Sequence, residues 1–302
     1  MPAEINDIAM RASVAAVSKG SSIRVYESDV FGGIREAMFE GKWTGGSRRN
    51  VIAKGKIGSP VAATSLGLDF IRVYYIGEDN KAREICYDKH GRHWYNGALN
   101  DRFRLAPYSG LAAIYLEAPD DQKLIRIYGQ LEDDNTIQEW CYDTKHGWTL
   151  GSNIGDAVPG SSIAATTWAQ SPHQIRVYVQ DANLNIIEKA YDGSRWHTGG
   201  LHIKDATPRA AVGVTSWTEH GNVSIRLYYG SPGNVIKEKA WDHGKGWYDG
   251  DFSQGSVPAS HVAATPKPTL RVYIQNGTKY TAVTEFAWEG RWDVGQQALP
   301  PA

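Results

Sequence analysis

One four-residue string, Ile-Arg-Val-Tyr or a close variant of it, occurs six times along this chain. The six copies begin at Ile23, Ile71, Ile125, Ile175, Ile225 and Leu270. Their arginines are separated by 48, 54, 50, 50 and 45 residues. A period near fifty residues with β-branched and aromatic content is typical of propeller blades. The repeat therefore predicts that residues 1–302 form one domain of six similar units.

Each repeat contains the same four parts, each as long as a short strand. Small apolar residues, as in Val14-Ala15-Ala16-Val17, come first and suit the crowded centre of a ring. The Arg-Tyr segment alternates polar and apolar residues as a half-buried strand does, and a turn rich in Asp, Asn and Gly follows it. A strand with a glutamate and a last strand with a tryptophan complete the repeat. We therefore predict an all-β, six-bladed β-propeller with four antiparallel strands per blade.

The repeats span approximately residues 11–57, 58–108, 109–159, 160–208, 209–258 and 259–302, and we expect the N-terminal segment to help close the ring. Every repeat has an arginine (Arg24, Arg72, Arg126, Arg176, Arg226, Arg271), a glutamate (Glu36, Glu84, Glu139, Glu188, Glu238, Glu285) and a tryptophan (Trp43, Trp94, Trp148, Trp196, Trp247, Trp292). A glycine follows each tryptophan by three residues (Gly46, Gly97, Gly151, Gly199, Gly250, Gly295).

Glutamate follows arginine by 12 to 14 residues, across one hairpin, so the two side chains can meet on adjacent strands. One interpretation is a structural ion pair, which contributes less than ~1 kcal/mol when exposed. The tryptophan favours another, because plain packing would tolerate Leu, Ile or Phe, and no repeat makes that exchange. Arginine and carboxylate groups hydrogen-bond hydroxyls, and an indole adds a flat apolar face and one donor. The combination indicates sugar-binding sites.

Composition excludes several other functions. The 32 basic and 33 acidic residues leave a net charge of -1, which argues against a nucleic-acid or anionic-membrane partner. No apolar run approaches the ~18 residues of a membrane span, and residues 1–10 do not read as a classical signal peptide. Cys86 and Cys141 are too few for a disulfide framework, and no spacing suggests a metal site. We expect a cytoplasmic protein, or one held at a spore or cell surface after non-classical release.

Two other functions fit a propeller. A sialidase-like or other glycoside hydrolase needs two carboxylates at one bond, whereas here the same residues recur in every repeat, so we predict no catalytic residue. A protein-interaction scaffold of the WD-repeat kind is the second. Its Trp-Asp dipeptide occurs at Trp241 and Trp292 but not at a consistent repeat position.

The Arg, Glu and Trp triples, the Ala-Ala strands, the Trp-x-x-Gly endings and the C-terminal Leu299-Pro300-Pro301-Ala302 resemble the fungal fucose-specific lectins, the family of the Aleuria aurantia lectin. The resemblance covers essentially the whole chain and is closest to the Aspergillus members. It implies a six-bladed propeller, a homodimer, and binding of L-fucose and fucosylated oligosaccharides of hosts or competitors. It also implies that binding needs no metal ion or other cofactor.

In that family, arginine and glutamate come from one blade and tryptophan from the next. The resemblance thus implies sites at Arg24, Glu36 and Trp94; Arg72, Glu84 and Trp148; Arg126, Glu139 and Trp196; Arg176, Glu188 and Trp247; Arg226, Glu238 and Trp292; and Arg271, Glu285 and Trp43. It further implies an apolar wall for the fucose methyl group from Phe39, Tyr87, Tyr142, Tyr191, Trp241 and Trp288, three residues after each glutamate. Strand alternation puts such residues on opposite faces, so this wall requires a bulge or a strand end. Ordinary packing between blades is the alternative role of these aromatics.

Overall fold

The computed structural model describes residues 5–119, 122–168, 172–204 and 206–299. In these ranges the chain forms six antiparallel sheets whose strands follow one another in sequence order, and two 3-10 turns, Ile5–Asp7 and Arg48–Asn50, are its helical elements. The prediction of a six-bladed, all-β propeller is therefore confirmed.

The first three blades consist of these strands: β1 (Val14–Lys19), β2 (Ser22–Ser28), β3 (Gly33–Phe39), β4 (Trp43–Gly45) and β5 (Val51–Lys54); β6 (Val61–Leu66), β7 (Phe70–Ile76), β8 (Ala82–Asp88) and β9 (Trp94–Asn96); β10 (Leu111–Leu116), β11 (Leu124–Gln130), β12 (Thr136–Asp143) and β13 (Gly147–Asp156). The last three consist of β14 (Ala164–Trp168), β15 (Gln174–Gln180), β16 (Ile186–Asp192) and β17 (Trp196–Ile203); β18 (Val212–Glu219), β19 (Asn222–Ser231), β20 (Val235–Asp242) and β21 (Gly246–Gly255); β22 (Val262–Thr265), β23 (Arg271–Ile274), β24 (Thr284–Trp288) and β25 (Trp292–Val294). Among the described residues, a fifth strand occurs only in the first blade, where β5 pairs with β3 beside β4.

The first strand of every blade faces the centre of the ring. The inner strands β1, β6, β10, β14, β18 and β22 contact one another in that order, and β22 contacts β1 again. Ala15 and Ala62 are typical of their residues, since both are small and buried. Large side chains would not fit where six strands converge, which is the reason for the Ala-Ala segments.

The second and third strands of each blade pair in one common register. The tyrosine of the repeated string lies directly opposite the glutamate in all six blades, as in Tyr26 and Glu36 of the first blade. The spacing from arginine to glutamate is 12 residues in four repeats, 13 in the third and 14 in the sixth. The extra residue of the third repeat lies in the turn between β11 and β12, and the two extra residues of the sixth lie between β23 and β24. Because the turns take up these insertions, the hairpin register is unchanged.

In three blades, a buried glutamine at the end of the second strand hydrogen-bonds to the segment that leads to the next blade. The Gln130 amide donates to the carbonyl oxygens of Ala157 and Val158 at 3.2 and 3.1 Å. Gln275 does the same at the ring closure, where it donates to the Ala9 carbonyl at 2.9 Å and accepts from the Ala12 amide at 3.1 Å. The segment before β1 thus joins the last blade to the first.

A buried charge network holds this N-terminal segment on the first blade. The Arg35 guanidinium is fully buried and lies 3.0 Å from Asp29 and 3.2 Å from Asp7. Asp7 also accepts from the exposed Arg48 at 2.6 Å. Glu27, on the strand beside Arg35, is fully buried, and neither of its carboxylate oxygens has a hydrogen-bond partner among the described residues.

Candidate functional site

The six arginines have the same orientation because the backbone holds them. In every blade the guanidinium Nη1 donates to the carbonyl of the residue just before it, at 2.9 to 3.1 Å. Each interface between blades takes the number of the blade that supplies its arginine. At the third, fourth and fifth interfaces the arginine Nε also lies 3.9, 3.4 and 3.6 Å from the predicted glutamate. A flexible side chain is thereby fixed before any ligand arrives.

The glutamates are fixed by the tyrosines opposite them. The hydroxyl of the buried tyrosine donates to the carboxylate at 2.9 to 3.1 Å in five blades, as from Tyr74 to Glu84 at 3.0 Å. The fifth blade differs, since the buried Tyr228 hydroxyl and the Glu238 Oε2 have no hydrogen-bond partner among the residues that the structure describes. Burial raises the pKa of Glu36, Glu84 and Glu285, and hydrogen bonds and the nearby arginine offset part of this rise.

The glycine of the Trp-x-x-Gly ending makes room for the glutamate of its own blade. A Cβ added at Gly97, Gly199 or Gly250 would lie 2.0 to 2.2 Å from the carboxylate oxygen. In the fourth blade the pairing of β16 with β17 shifts register at this point, and the freed Gly200 amide donates to Glu188 at 2.6 Å. The repeated glycine therefore permits a bulge that holds the glutamate.

Each tryptophan reaches across to the preceding blade, as the resemblance implies. Its ring meets the buried tyrosine of that blade edge-on, with centroids 6.0 to 6.3 Å apart, at all six interfaces. One of these contacts joins Trp43 to Tyr273 and spans the ring closure. The structure thus brings each predicted arginine, glutamate and tryptophan together in one place between blades.

Where a cavity shows its place, the aromatic three residues after a glutamate lies at the site of the preceding blade and not at that of its own glutamate. The register from Glu84 to Tyr87 has no shift, so alternation places the two side chains on opposite faces. Tyr87 instead lines the cavity of Arg24 and Glu36, the site of the preceding blade. The bulge that a same-site wall requires is therefore absent between Glu84 and Tyr87. In the third, fourth and fifth blades the register shifts instead in the pairing with the outer strand.

The same displacement holds at other interfaces. Tyr142 lines the cavity of Arg72, and Trp288 lines that of Arg226. Five of the six aromatics also pack on the tryptophan of their own blade, with ring centroids 5.4 to 5.6 Å apart. The following blade thus supplies an aromatic ring to each of these three cavities, and at the Arg226 cavity it supplies a second ring, Trp292.

A second acidic residue, four positions after the glutamate, escaped the sequence analysis. These residues are Glu40, Asp88, Asp143, Asp192, Asp242 and Glu289. In five blades this carboxylate lies 2.7 to 3.4 Å from the arginine. Its presence in all six repeats, on the same strand face as the glutamate, was the signal that could have revealed it.

The fifth interface shows how the two acids divide their roles. Burial raises the pKa of Glu238 to about 7, against the opposing effect of Arg226. Burial also opposes ionisation of Asp242, but hydrogen bonds from Tyr248, Ser224 and Arg226 outweigh it and lower its pKa to about 2. One carboxylate stays charged on the guanidinium, while the other changes its charge near neutral pH.

The described residues offer little to other chemistry. Cys86 and Cys141 are free, and burial raises the pKa of both thiols to about 12. Within the described ranges no three His, Cys, Asp or Glu side chains are grouped to hold a metal ion. No helix there is long and apolar enough to cross a membrane.

Comparisons with known proteins agree with this geometry. The sequence profile of the fungal fucose-specific lectins matches residues 8–302. A fucose-specific lectin of Aspergillus fumigatus is 41% identical over 98% of both chains. The structure of SapL1 lectin in complex with alpha methyl fucoside superposes with a TM-score of 0.94 at 53% identity, covering 99% of this chain and 100% of that one. The six-bladed Aleuria aurantia lectin superposes with a TM-score of 0.83 at 26% identity and 97% coverage of both. The chain belongs to the fungal fucose-specific lectin family, whose members named here are sugar-binding proteins and not enzymes.

Proposed function

We propose that this protein is a multivalent lectin that binds L-fucose and the fucose of larger glycans at up to six sites between blades. The observation that carries the proposal is the frame repeated at all six interfaces: an arginine held by the backbone, a glutamate, and a tryptophan from the neighbouring blade. A tyrosine hydroxyl also holds the glutamate in five of the six blades. One relative is known in complex with a methyl fucoside, which supports fucose as the sugar.

The frame suits a 6-deoxy sugar for physical reasons. The guanidinium and the carboxylate present donors and acceptors to adjacent hydroxyl groups, and charge-assisted hydrogen bonds contribute about 1.5–3 kcal/mol each. The indole and the second aromatic ring present apolar surface to the methyl group and the C–H groups of the sugar. Since the polar groups are already held by backbone and tyrosine contacts, binding immobilises few side chains.

Titration calorimetry and native mass spectrometry with α-methyl-L-fucoside test the proposal, with methyl galactoside as the control sugar. We expect several fucosides per chain and one fewer in Arg176→Ala. Arg83→Ala is the matched control, because Arg83 pairs with Asp79 and Asp101 away from the frame. Absence of fucose binding, or loss of binding in the control variant alone, would indicate that the Arg–Glu pairs are structural ion pairs and do not bind sugar.

The proposal includes a homodimer and glycans of hosts or competitors as targets, both taken from the family resemblance. Six sites on one ring would give avidity without any new contact, because linked sites bind the second glycan at high effective concentration. Sedimentation equilibrium tests the dimer, for which we expect twice the mass of the chain. The location at a cell or spore surface, or in the cytoplasm, stays a prediction.

A further inference from the structure

The site between the second and third blades has a larger cavity than the first and the fifth interfaces. Its volume is about 1120 Å³, against about 390 Å³ at the first interface and about 150 Å³ at the fifth. Pockets of about 300–1,000 Å³ hold drug-sized ligands. A cavity of this size at Arg72 and Glu84 therefore has room for sugars beyond a single fucose.

Its charge also differs. Five basic and three acidic side chains line this cavity, whereas the first interface has three of each and the fifth has two of each. Asp69 is shared by Lys19 and Lys89, at 3.4 and 3.1 Å. Lys123 and Arg92 line the same cavity and have no carboxylate partner within the described part of the chain. The excess positive charge thus rests mainly on these two side chains.

Lys123 lies close to the arginine of the site. The Arg72 guanidinium stacks on the Phe70 ring, 3.5 Å from its centroid, and the Lys123 ammonium lies 5.2 Å from the same centroid. Both cations therefore share one ring, with Lys123 contributed by the third blade. The Lys123 ammonium therefore lies in the same cavity as the arginine of the predicted fucose site.

We infer that the site of Arg72 takes fucosylated oligosaccharides in which a sugar near the fucose carries an anionic group, either the carboxylate of an acidic sugar or a sulfate ester. Cations that have no carboxylate partner among the described residues, in a cavity that is partly shielded from water, attract such a group more strongly than cations at an open surface. The inference rests on the proposed function, because the fucose itself must bind at this site.

The test compares three ligands: α-methyl-L-fucoside, a neutral fucosylated trisaccharide, and the same trisaccharide bearing either sialic acid or sulfate. Each is titrated at low and at high salt. We expect the anionic ligands to bind about tenfold more tightly than the neutral one at the Arg72 site, as one charge-assisted hydrogen bond predicts. High salt should reduce this preference. The two anionic arms show which group the site favours.

Lys123→Ala with Arg92→Ala should remove the preference and leave binding of α-methyl-L-fucoside intact. Lys267→Ala is the matched control, since its ammonium lies 5.6 Å from the Trp217 ring in the balanced cavity of the fifth interface. Arg72→Ala should also abolish the preference. An unchanged preference in the double variant, or one that survives Arg72→Ala, would overturn the inference. Loss of all fucoside binding would instead contradict the proposed function.

Discussion

Replacing Gly250 with alanine, which adds one methyl group, should strongly weaken fucose binding at one site. The Cβ of alanine would lie 2.0 Å from the Glu238 Oε1 and 2.5 Å from its carboxyl carbon, and contacts below 3.0 Å do not persist. The carboxylate must move by about 1 Å or more, which changes its present position 3.6 Å from the Arg226 Nε. Losing one charge-assisted hydrogen bond to the sugar costs about 1.5–3 kcal/mol, so the affinity of this site should fall roughly 10- to 150-fold.

Gly255→Ala provides the control on the same strand, because a Cβ there meets nothing within 4 Å. Native mass spectrometry with α-methyl-L-fucoside should count one ligand fewer in Gly250→Ala and the full number in Gly255→Ala. Thermal unfolding of both variants shows whether the blade is intact. If Gly250→Ala kept every ligand at unchanged affinity, Glu238 would not contact the sugar and the assigned frame would be wrong at this interface.

Three further predictions concern stability and pH. Burial raises the pKa of Glu27 well above its ordinary value of 4.5, so the contribution of Glu27 to folding stability is present below pH 4.5 and is lost as the pH rises. The fourth blade has valine at this position, and the melting temperature of Glu27→Val should exceed that of the wild type by more as the pH rises. An equal difference at pH 4 and pH 8 would contradict this. Because the pKa of Glu238 is about 7, its carboxylate gains a proton below neutral pH. Calorimetry should therefore show weaker fucoside binding at the fifth interface at pH 6 than at pH 8, and this pH-dependent part of the binding heat should be missing in Arg226→Ala. Gln275→Ala removes hydrogen bonds that close the ring and should lower the free energy of unfolding, measured with denaturant, by about 1–3 kcal/mol. The matched Gln130→Ala should lower it by a similar amount. An unchanged stability of Gln275→Ala would show that the closure does not depend on this side chain.

The fold could be predicted from the sequence because its information is local and repeated. The alternation around the Arg-Tyr segment identifies a strand, and six copies at one spacing identify a ring. The site frame followed from the same repeat, together with a resemblance that assigned Trp94 to the glutamate of the preceding blade. The contact of Trp94 with Tyr26 agrees with that assignment.

The sequence left unresolved which residues meet across blades. Tyr87 stands three residues after Glu84, and sequence proximity suggested one shared site that strand alternation forbids. The acids typified by Asp88 were overlooked because charged residues at strand ends are common. Only the fold shows that this one lies 3.3 Å from Arg72. Charge balance in a cavity, such as the excess near Lys123, depends on three blades at once and has no local sequence signal.

From the contacts beneath the arginines we expect the six proposed sites to share one frame but to differ in their affinity for fucose. Arg176 and Arg226 lie over the indoles of Trp168 and Trp217, at 4.8 and 5.1 Å from the ring centroids. These rings come from the end of the inner strand, where the first blade has a lysine, Lys19. Since a cation–π contact contributes about 0.5–2 kcal/mol, such differences alone can separate the sites severalfold in affinity. The inner strand therefore tunes a frame that the hairpin register keeps constant.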